Sequence, residues 1–470
     1  MIKKINFVLN NELIKIDSNP NSTLLNFIRK TKHLSGTKEV CREGDCGACS
    51  VLIGELDGEN ISYKTVNSCI YPLGNCEGKH IVTIEGLNQT ELNLIQESFI
   101  DNHAAQCGFC TPGFIVAITG YLLNNQIYET SSAIKSLDGN ICRCTGYGSI
   151  RRAIDDLLID LNEKKSPNNL ETLIEKRIVP VYFKEIPKLL SEIEKENDSQ
   201  YRNHFIAGGT DLFVQKGDDL LDVDSTFISS TNLNYIHKNA NEIIIGGGTT
   251  FEEIKQSSVC KEFSQDFVNA FDLIASLPIR NSATIAGNII NASPIGDLTI
   301  MLLALNAEIV LSNKNVKRKT NLRDFYLGYK ILAKNIDEYI EEIIVKIPTD
   351  NFKFSFEKVS KRKFLDIASV NSASLITFDK DLIVSANISA GGVAPTPKYL
   401  IETSNFFAGK SIDEINFHNA NEILQNEIQP ISDVRGSAEY KRLLLLQLIK
   451  MHFIKSFNDY KLTEELLYES

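Results

Sequence analysis

The 470-residue chain has no tryptophan and no apolar run long enough to cross a membrane. Its longest apolar stretch, residues 443–449, is interrupted by Gln447, whereas a membrane-spanning helix needs about 20 mostly apolar residues. The two lysines near the start are not followed by an apolar segment, so we expect no signal peptide. These absences predict a cytoplasmic protein with no membrane partner.

An excess of positive charge is also missing. The formal net charge is −11 and the pI is about 5.3, which argues against a protein that binds nucleic-acid phosphates. Apolar residues make up 43% of the chain, which is enough for several buried cores. A chain of this length predicts about three domains.

Ten cysteines are present. In a cytoplasmic protein they indicate metal or redox chemistry rather than a disulfide framework. Eight of them fall into two sets of four, which leaves Cys76 and Cys260 outside both sets. We interpret these two residues as ordinary thiols.

The first set consists of Cys41, Cys46, Cys49 and Cys69. Its spacing, C-x4-C-x2-C with a distant fourth cysteine, is typical of plant-type 2Fe–2S ferredoxins. Gly44 and Gly47 lack the Cβ that would obstruct a loop curling around metal ions. A zinc loop is the alternative, although zinc loops usually combine two C-x2–4-C pairs. Alternating strand patterns on both sides of the loop predict a small sheet with one short helix.

The second set consists of Cys107, Cys110, Cys142 and Cys144. It lies within residues 88–162, where apolar residues recur at helical spacing. A C-x2-C pair and a C-x-C pair separated by 31 residues are unusual for zinc. The pattern favours a second 2Fe–2S cluster, with a zinc site as the alternative.

A polar stretch predicts a linker at residues 163–176, and an α/β region with glycine-rich turns follows it. The turn GGTD at residues 208–211 and the turn GGG at residues 246–248 each follow a predicted strand. Glycine after a strand allows backbone N–H groups to surround a diphosphate. Neither turn is a G-x-G-x-x-G motif, which excludes a Rossmann dinucleotide site.

Longer strings around the cysteines resemble the xanthine dehydrogenase / molybdenum hydroxylase family. They are QCGFCTPG at residues 106–113, GNICRCTGY at residues 139–147 and EGDCGACSV at residues 43–51. The resemblance implies that the eight cysteines are the ligands of two 2Fe–2S clusters. It also implies that the second cluster lies nearest a molybdopterin carried only by a partner subunit, that Gln106 touches this pterin, and that the first cluster lies nearer a flavin.

The later part of the chain resembles the flavin region of the same family. IAGGTDL at residues 206–212 resembles its diphosphate loop, and IRNSATIAGNI at residues 279–289 resembles its second FAD segment. The resemblance implies that FAD is bound by Ile206, Ala207, Gly208, Gly209, Thr210, Asp211, Leu212, Phe213, Ile274, Thr284, Gly287, Asn288, Asp297 and Lys358. Two positions depart from the family pattern. Ala286 replaces a usual glycine, and Lys330 stands where arginine is commoner, before a lengthened run that reads as helical.

The predicted fold is multidomain α+β. We expect a β-grasp 2Fe–2S ferredoxin domain at residues 1–87 and a helical-bundle 2Fe–2S domain at residues 88–162. An α/β FAD-binding domain should follow at residues 177–350. An α+β domain like the C-terminal domain of the CO dehydrogenase flavoprotein should occupy residues 351–470.

The resemblance implies an oxidoreductase, the electron-transfer subunit of a xanthine dehydrogenase of purine catabolism. Electrons would pass from molybdenum on a large partner subunit through two clusters to FAD and on to NAD⁺, while hypoxanthine and xanthine are oxidised to urate. An α2β2 heterotetramer is expected. No stretch resembles the molybdenum-binding part, so turnover would need the partner. An aldehyde, carbon monoxide or aromatic acyl-CoA oxidoreductase stays open, as does a non-catalytic scaffold stapled by zinc.

Overall fold

The structure is a computed structural model that describes residues 2–125, 127–163, 169–193, 204–313, 316–362, 365–458 and 460. The chain divides into two compact units. The first unit comprises Met1–Ser230 and Ser276–Ala283, and the second comprises Thr231–Ala275 and Thr284–Ser470.

The strands are numbered in chain order through both units. They are β1 (Lys3–Leu9), β2 (Glu12–Ser18), β3 (Ser50–Asp57), β4 (Asn60–Asn67), β5 (His80–Val82), β6 (His204–Ile206), β7 (Ser225–Phe227), β8 (Ile236–Asn239), β9 (Glu242–Gly246), β10 (Glu308–Ser312), β11 (Lys317–Asn321), β12 (Tyr326–Gly328), β13 (Ile331–Leu332), β14 (Tyr339–Lys346), β15 (Asn351–Val359), β16 (Val370–Asp379), β17 (Leu382–Gly391) and β18 (Lys398–Tyr399).

The α-helices are numbered in the same way, and 3₁₀ or π-helical turns lie between some of them. They are α1 (Leu24–Asn26), α2 (Leu94–Asp101), α3 (Thr111–Asn124), α4 (Thr130–Lys135), α5 (Gly148–Glu163), α6 (Leu170–Glu175), α7 (Ile186–Ser191), α8 (Leu212–Lys216), α9 (Phe251–Gln256), α10 (Ser258–Phe263), α11 (Gln265–Ala270), α12 (Leu277–Arg280), α13 (Ile285–Asn291), α14 (Asp297–Ala304), α15 (Ile401–Phe407), α16 (Phe417–Glu427) and α17 (Ala438–Ser456).

The first unit begins with a β-grasp sheet of order β2-β1-β5-β3-β4. β1 runs parallel to β5, and the other neighbours are antiparallel. Successive side chains of a strand point to opposite faces. Ile5, Phe7 and Leu9 accordingly enter the core of the sheet, while Val8 packs with Ile186 of α7. β1 is therefore covered on both sides.

The helices that follow pack on the same sheet. α3 is buried from Gly113 to Leu122, as expected for a helix that is apolar all round. It lies on β3 so closely that a Cβ added at Gly120 would be 2.8 Å from Leu52 Cδ2. Leu52, Phe114 and Ile154 of α5 belong to one hydrophobic cluster. The two predicted iron–sulfur segments thus share a core.

The predicted linker at residues 163–176 contains a helix. Residues 164–168 lie outside the described residues, and α6 follows them directly. The Asn169 side chain caps α6 by accepting a hydrogen bond from Thr172 N, and Leu173 is buried. Apolar residues at helical spacing account for this helix, which the polar flank obscured in the sequence.

A short segment from later in the chain, residues 276–283, belongs to the first unit. Leu277 N donates to Asp138 Oδ1 (2.8 Å), and the Arg280 guanidinium lies 3.4 Å from the same carboxylate. Asn281 Nδ2 donates to Thr65 O (2.9 Å). These contacts fix α12 against the loop that carries the second cysteine pair and against β4.

The second unit contains two larger antiparallel sheets, of order β11-β10-β14-β9-β8 and β15-β16-β17-β18. α17 packs on β15 and β16, and its Phe453 enters an aromatic core with Phe407 and Phe417. Ser437 caps α17 by accepting a hydrogen bond from Tyr440 N. The α+β architecture expected from the sequence is present in this unit.

The helical run expected after Lys330 is wrong. β12 and β13 form an antiparallel hairpin there. Lys330 itself has a positive φ of 58°, which a helix does not accommodate. Its ammonium donates to the Asn291 carbonyl and to Asn291 Oδ1 (2.8 Å). The hairpin turn is thereby held at the C-terminal end of α13.

Among the helices of the described residues, none combines the length and the apolar character needed to cross a membrane.

A buried histidine links α17 to the sheet of the second unit. His452 Nδ1 and Nε2 each lie 2.9 Å from a serine hydroxyl, those of Ser355 and Ser372. Burial, together with the charge of Lys455, lowers the pKa of His452 to about 3. The folded unit therefore holds this imidazole neutral across the physiological range.

Acidification should destabilise the second unit through His452. Below pH 6.5 the unfolded chain takes up a proton that the folded chain refuses until about pH 3, so the free energy of unfolding should fall by about 1.4 kcal/mol per pH unit in that window. His452→Gln, which can still bond both serines, should flatten this dependence. This pH dependence is measured by urea unfolding at several pH values, with the amide protection of β15 and β16 as the readout. Equal slopes for the two proteins would contradict the prediction.

Candidate redox cofactor sites

The loop before β3 brings together the four thiols of the first set. The Cys41 thiol is in hydrogen-bonding contact with Cys46 and Cys69, and Cys49 is in contact with Cys69. Gly44 and Gly47 adopt positive φ values of 78° and 67° in this loop, a conformation that favours glycine. The convergence predicted from the spacing is therefore present.

Hydrogen bonds among these thiols shift their pKa values in opposite directions. Contact with Cys46, and then with Cys69, lowers the pKa of the Cys41 thiol far below its usual range. Contact with Cys41 and Cys49, reinforced by burial, raises the pKa of Cys69. These contacts link the four sulfurs into one group, as the ligands of one small cluster must be.

Backbone donors surround the same sulfurs. Glu43 N lies 3.5 Å from Cys41 Sγ, and the N–H of Ala48 donates to Cys46. Asn67 Nδ2 donates to Gly44 O (2.6 Å) and so fixes the curl of the loop. N–H groups directed at sulfur stabilise a thiolate and the reduced state of an iron–sulfur cluster.

The second set is formed at one end of α3 and in the loop before α5. Cys107 Sγ and Cys144 Sγ are 3.5 Å apart, and Cys110 is in hydrogen-bonding contact with Cys142. Cys107 and Cys144 are exposed, whereas Cys142 is buried. The set therefore has an exposed pair and a more buried pair.

Polar groups near this set point to a group that accepts hydrogen bonds. Burial, and then contact with Cys142, raises the pKa of Cys110 to about 12. Cys142 Sγ lies 3.1 Å from Thr145 Oγ1. Thr111 Oγ1, next to Cys110, is buried and has no hydrogen-bond partner among the described residues. A sulfide or thiolate would satisfy this hydroxyl.

The predicted diphosphate loop, residues 206–213, follows β6 in the first unit. A Cβ added at Gly208 would lie 1.7 Å from Ser282 O, and Gly209 has a φ of 76°, so both positions require glycine. Asn75 Nδ2 donates to Ala207 O (2.9 Å). Thr210 and Leu212 are half-buried at the start of α8, and Asp211 is exposed there.

This loop lies beside the first thiol set. Ile206 and Phe213 share one buried cluster with Cys49 and Cys69, and a Cβ on Gly209 would lie 3.4 Å from Ile70 O. The structure therefore joins two predicted sites that are more than a hundred residues apart in the sequence.

The other predicted FAD residues lie in the second unit. Thr284 caps α13, where its Oγ1 accepts from Gly287 N (3.1 Å). Asn288 Oδ1 accepts from Thr299 Oγ1 (2.8 Å), which ties α13 to α14. Ala286 is absent from the positive-φ residues, so its methyl group fits the helix in place of the usual glycine.

A buried ion pair organises the start of α14. Lys358 Nζ donates to Asp297 Oδ2 (2.7 Å) and to Leu273 O (3.0 Å), next to the buried Ile274. Asn371 Nδ2 donates to Asp297 Oδ1 (2.6 Å). Burial raises the pKa of Asp297, against the opposing influence of Lys358 and Asn371. Three of the predicted residues are thus brought together, with Asn371 as an unpredicted fourth.

Sequence reasoning missed Asn371 because nothing local marks it. The signal that could have found it is an amide near the start of a strand, β16, whose neighbours in the strand are buried. The two cysteines outside the sets, Cys76 and Cys260, are buried, and burial raises their pKa values to about 12 and about 11. Gln106 is exposed next to Cys107.

Curated relatives match nearly the whole chain. Xanthine dehydrogenase 1 of Arabidopsis thaliana is 28% identical over 92% of the chain, and xanthine dehydrogenase/oxidase of Gallus gallus is 25% identical over 94%. The chain covers 38% and 39% of those two proteins. It therefore spans about two fifths of the length of the curated relatives it matches.

Four family models match successive regions. They are described as a 2Fe–2S iron–sulfur cluster binding domain (residues 7–73), a 2Fe–2S binding domain (83–155), an FAD binding domain in molybdopterin dehydrogenase (177–349) and a CO dehydrogenase flavoprotein C-terminal domain (355–456). The chain is similar to the molybdenum hydroxylase family along most of its length. It has two 2Fe–2S domains and an FAD-binding domain.

Two solved structures share the fold over about half of this chain. Reconstituted CO dehydrogenase from Oligotropha carboxidovorans is 25% identical, with a TM-score of 0.50 over 52% of this chain and 86% of that one. Carbon monoxide dehydrogenase from Hydrogenophaga pseudoflava shares the fold, at 23% identity and a TM-score of 0.50, over 53% of this chain and 86% of that one.

The residues of both thiol sets fit two-iron clusters. The sulfurs approach one another in pairs, such as Cys107 with Cys144. Paired thiols with N–H donors suit a 2Fe–2S cluster.

Cys107→Ser should remove one cluster and leave FAD bound. Loss of one thiolate from the exposed pair breaks a four-thiol set, so iron and acid-labile sulfide should each fall by about half. Metal and sulfide analysis of the purified variant measures this. The matched control is Cys260→Ala, which removes a buried thiol outside both sets and should keep the full content. Undiminished iron in Cys107→Ser would contradict the assignment.

Lys358→Met should weaken FAD binding, because it leaves the Asp297 carboxylate buried without its cation. Removing one partner of a buried ion pair lowers the free energy of unfolding by about 3–5 kcal/mol. Flavin content and equilibrium dialysis with FAD measure the effect, and Lys353→Met on the same strand, where the side chain is exposed, is the control. The double variant Lys358→Met/Asp297→Asn should recover thermal stability without recovering FAD. Wild-type FAD affinity in Lys358→Met would contradict a role for the lysine.

Proposed function

We propose that this chain is the electron-transfer subunit of a xanthine dehydrogenase. It takes electrons from a molybdenum site on a partner subunit and carries them through two 2Fe–2S clusters to FAD and on to NAD⁺, as hypoxanthine and xanthine are oxidised to urate. The observation that carries the proposal is the gathering of eight cysteines into two four-thiol sets. One set adjoins the glycine loop predicted to bind the flavin diphosphate.

The relatives support the xanthine assignment over other substrates. The two relatives described above carry the name xanthine dehydrogenase and match more than nine tenths of this chain. Their match extends across the iron–sulfur region and the flavin region together, which is the arrangement proposed here.

When bound, iron–sulfur clusters exchange single electrons and FAD exchanges one or two, which suits delivery of a hydride equivalent to NAD⁺. The chain's own residues provide the surroundings. Four thiolates hold each cluster, and N–H groups such as those of Glu43 and Ala48 stabilise the negative sulfur. Burial of Cys49 and Cys69 keeps water from the side of the first set that faces the glycine loop.

The exposed pair of the second set suits a protein partner. Cys107 and Cys144 reach the surface, and Phe109 and Ile141 beside them are 45% and 42% exposed. We assign this edge to the molybdopterin-binding large subunit, with Gln106 touching the pterin, in an α2β2 heterotetramer. The ten free cysteines fit the reducing cytoplasm that we propose as its compartment.

The likeness to CO dehydrogenase favours one second candidate, the same electron path in a carbon monoxide, aldehyde or aromatic acyl-CoA oxidoreductase. The two candidates differ only in what the partner subunit oxidises. The complex purified from its native cell, given each substrate class in turn under anaerobic conditions, distinguishes them by which substrate bleaches the visible absorption.

The purified chain should be reduced by NADH but not by xanthine. Under anaerobic conditions NADH should bleach the flavin band and then the iron–sulfur absorption, because both cofactors lie on this chain and the substrate site does not. An oxidised spectrum that persists with NADH would remove NAD⁺ from the proposal. Oxidation of xanthine by this chain alone would overturn the division between subunits. A colourless protein that contains zinc would instead establish the scaffold.

A further inference from the structure

A turn of the first iron–sulfur domain reaches the predicted diphosphate loop. The 3₁₀ turn Leu73–Cys76 lies between β4 and β5. Its Asn75 side chain is 5% exposed, and Asn75 Nδ2 donates to Ala207 O (2.9 Å). The two residues are 132 positions apart in the chain. The amide therefore joins the iron–sulfur domain directly to the backbone of the loop that is predicted to hold the flavin diphosphate.

Hydrogen bonds hold Asn75 itself in one orientation. Asn75 Oδ1 accepts from Ser229 Oγ (2.6 Å), just after β7. Asn75 N donates to Pro72 O (3.1 Å), and Asn75 O accepts from Tyr71 Oη (3.3 Å). A flipped amide would set Oδ1 against the Ala207 carbonyl oxygen, and two acceptors cannot bond each other. Only one orientation of the amide therefore fits its surroundings.

Apolar packing fixes the same turn against the strand next to the loop. A Cβ added at Gly74 would lie 2.7 Å from the ring of Phe227 in β7. β7 pairs with β6, which leads into the diphosphate loop. Phe227 and Ile206, the last residue of β6, share one buried cluster with Cys69. The position from which Asn75 reaches the loop is therefore set by the core and not by the amide alone.

The hydrogen bond to Ala207 O determines where the next N–H group points. A trans peptide unit is planar, so its C=O and N–H bonds point in opposite directions. The peptide between Ala207 and Gly208 is trans. Because Asn75 Nδ2 holds Ala207 O on one side of this peptide, the Gly208 N–H points to the opposite side, away from Asn75.

The N–H groups at this point of the loop have no protein acceptor. Gly208, Gly209 and Thr210 lie outside the helices and strands, and within the part of the chain that the structure describes their N–H groups donate to no other residue. A Cβ at Gly208 would lie 1.7 Å from Ser282 O, so no side chain can shield the backbone there. Neighbouring N–H groups without a partner suit the anionic oxygens of a diphosphate.

We propose that Asn75 is a positioning residue for FAD. Its amide holds the Ala207–Gly208 peptide so that the Gly208 N–H is directed to the diphosphate. It does so from the iron–sulfur domain, outside the region that is predicted to bind the flavin. The inference rests on the proposed function, which assigns FAD to this loop. Asn75 acts through the loop backbone, so its role is to preorganise a donor before the cofactor arrives.

Loss of this amide should weaken FAD binding. Without Asn75 Nδ2 the peptide is free to rotate, and the Gly208 N–H has to be ordered again when the cofactor binds. A hydrogen bond to a charged group is worth about a factor of ten or more in affinity. The dissociation constant of FAD should rise by about that factor in Asn75→Ala.

The test uses the full chain with both clusters in place, from which the flavin has been removed. Titration with FAD gives the dissociation constant, and phosphorus NMR of the bound cofactor reports the surroundings of its diphosphate. Thermal unfolding records the stability of each protein. Asn19→Ala is the matched control, because Asn19 Nδ2 likewise donates from the first iron–sulfur domain to a backbone carbonyl, Leu221 O (2.7 Å), which lies outside the diphosphate loop.

Asn75→Ala should bind FAD about tenfold more weakly than the wild type, and a phosphorus resonance of the cofactor that remains bound should shift. Asn19→Ala should keep the wild-type affinity and spectrum. Wild-type affinity with an unshifted spectrum in Asn75→Ala would overturn the proposal. An equal loss of affinity in Asn19→Ala would also overturn it, because the effect would then come from a general loosening between the two segments.

Asn75→Asp decides the matter if the alanine variant does not fold. The carboxyl group has the size of the amide and still accepts from Ser229 Oγ, but as a carboxylate it cannot donate to Ala207 O. Burial raises the pKa of such a group, and its protonated form regains a donor. Its FAD affinity relative to the wild type should therefore rise as the pH falls from about 9 to about 6. An affinity ratio that does not change with pH would contradict the positioning role.

Failure of the proposed function is recognised in the wild-type chain. A wild-type chain that binds FAD but is not reduced by NADH would contradict the proposed electron path and leave the role of Asn75 standing. A wild-type chain that binds no FAD would overturn both. Wild-type FAD binding together with normal affinity in Asn75→Ala would overturn the role of Asn75 alone.

Discussion

The structure depends on one requirement. Hydrogen-bond donors must surround the negatively charged cysteine sulfurs inside the folded chain. Thiolates withdrawn from water need N–H groups directed at them, and both cysteine loops provide these from the backbone at Glu43 and Phe109. A loop can turn its own N–H groups inward only if it curls tightly. Gly108 has a φ of 76° with nothing within 4 Å of a would-be Cβ, so backbone conformation, and not space, requires glycine at that position.

The requirement at Gly47 and Gly113 is of another kind. There the two loops touch, and each glycine is needed because a backbone oxygen of the opposite loop occupies the place of a side chain. The contact is stable because α3, which begins beside Cys110, packs on β3, which begins beside Cys49. The hydrophobic core between α3 and β3 fixes the separation of the two sulfur sets. Asn140 adds a polar contact between the two loops through its hydrogen bond to Gly47 O.

Much of this could be read from the sequence, because cysteine spacing and glycine position are local features. The gathering of each four-thiol set, the β-grasp sheet and the helix opened by Pro112 were predicted on that basis and are present. The contacts that depend on distant partners were not accessible. Asn371 meets Asp297 from 74 residues away, and Asn140 meets Gly47 from 93 residues away, with no periodicity to announce either. The hairpin at Lys330 was misread because a positive φ in a non-glycine residue leaves no pattern.

The shared core of the β-grasp sheet and the helices that follow it has an evolutionary consequence. Leu52, Phe114 and Ile154 come from both iron–sulfur segments and are buried together. Removal of either segment would expose the apolar face of the other, so we expect the two segments to fold and to be inherited as one block. Exchange of domains should therefore be tolerated at the two ends of this block. It should be selected against at the junction between the two iron–sulfur segments.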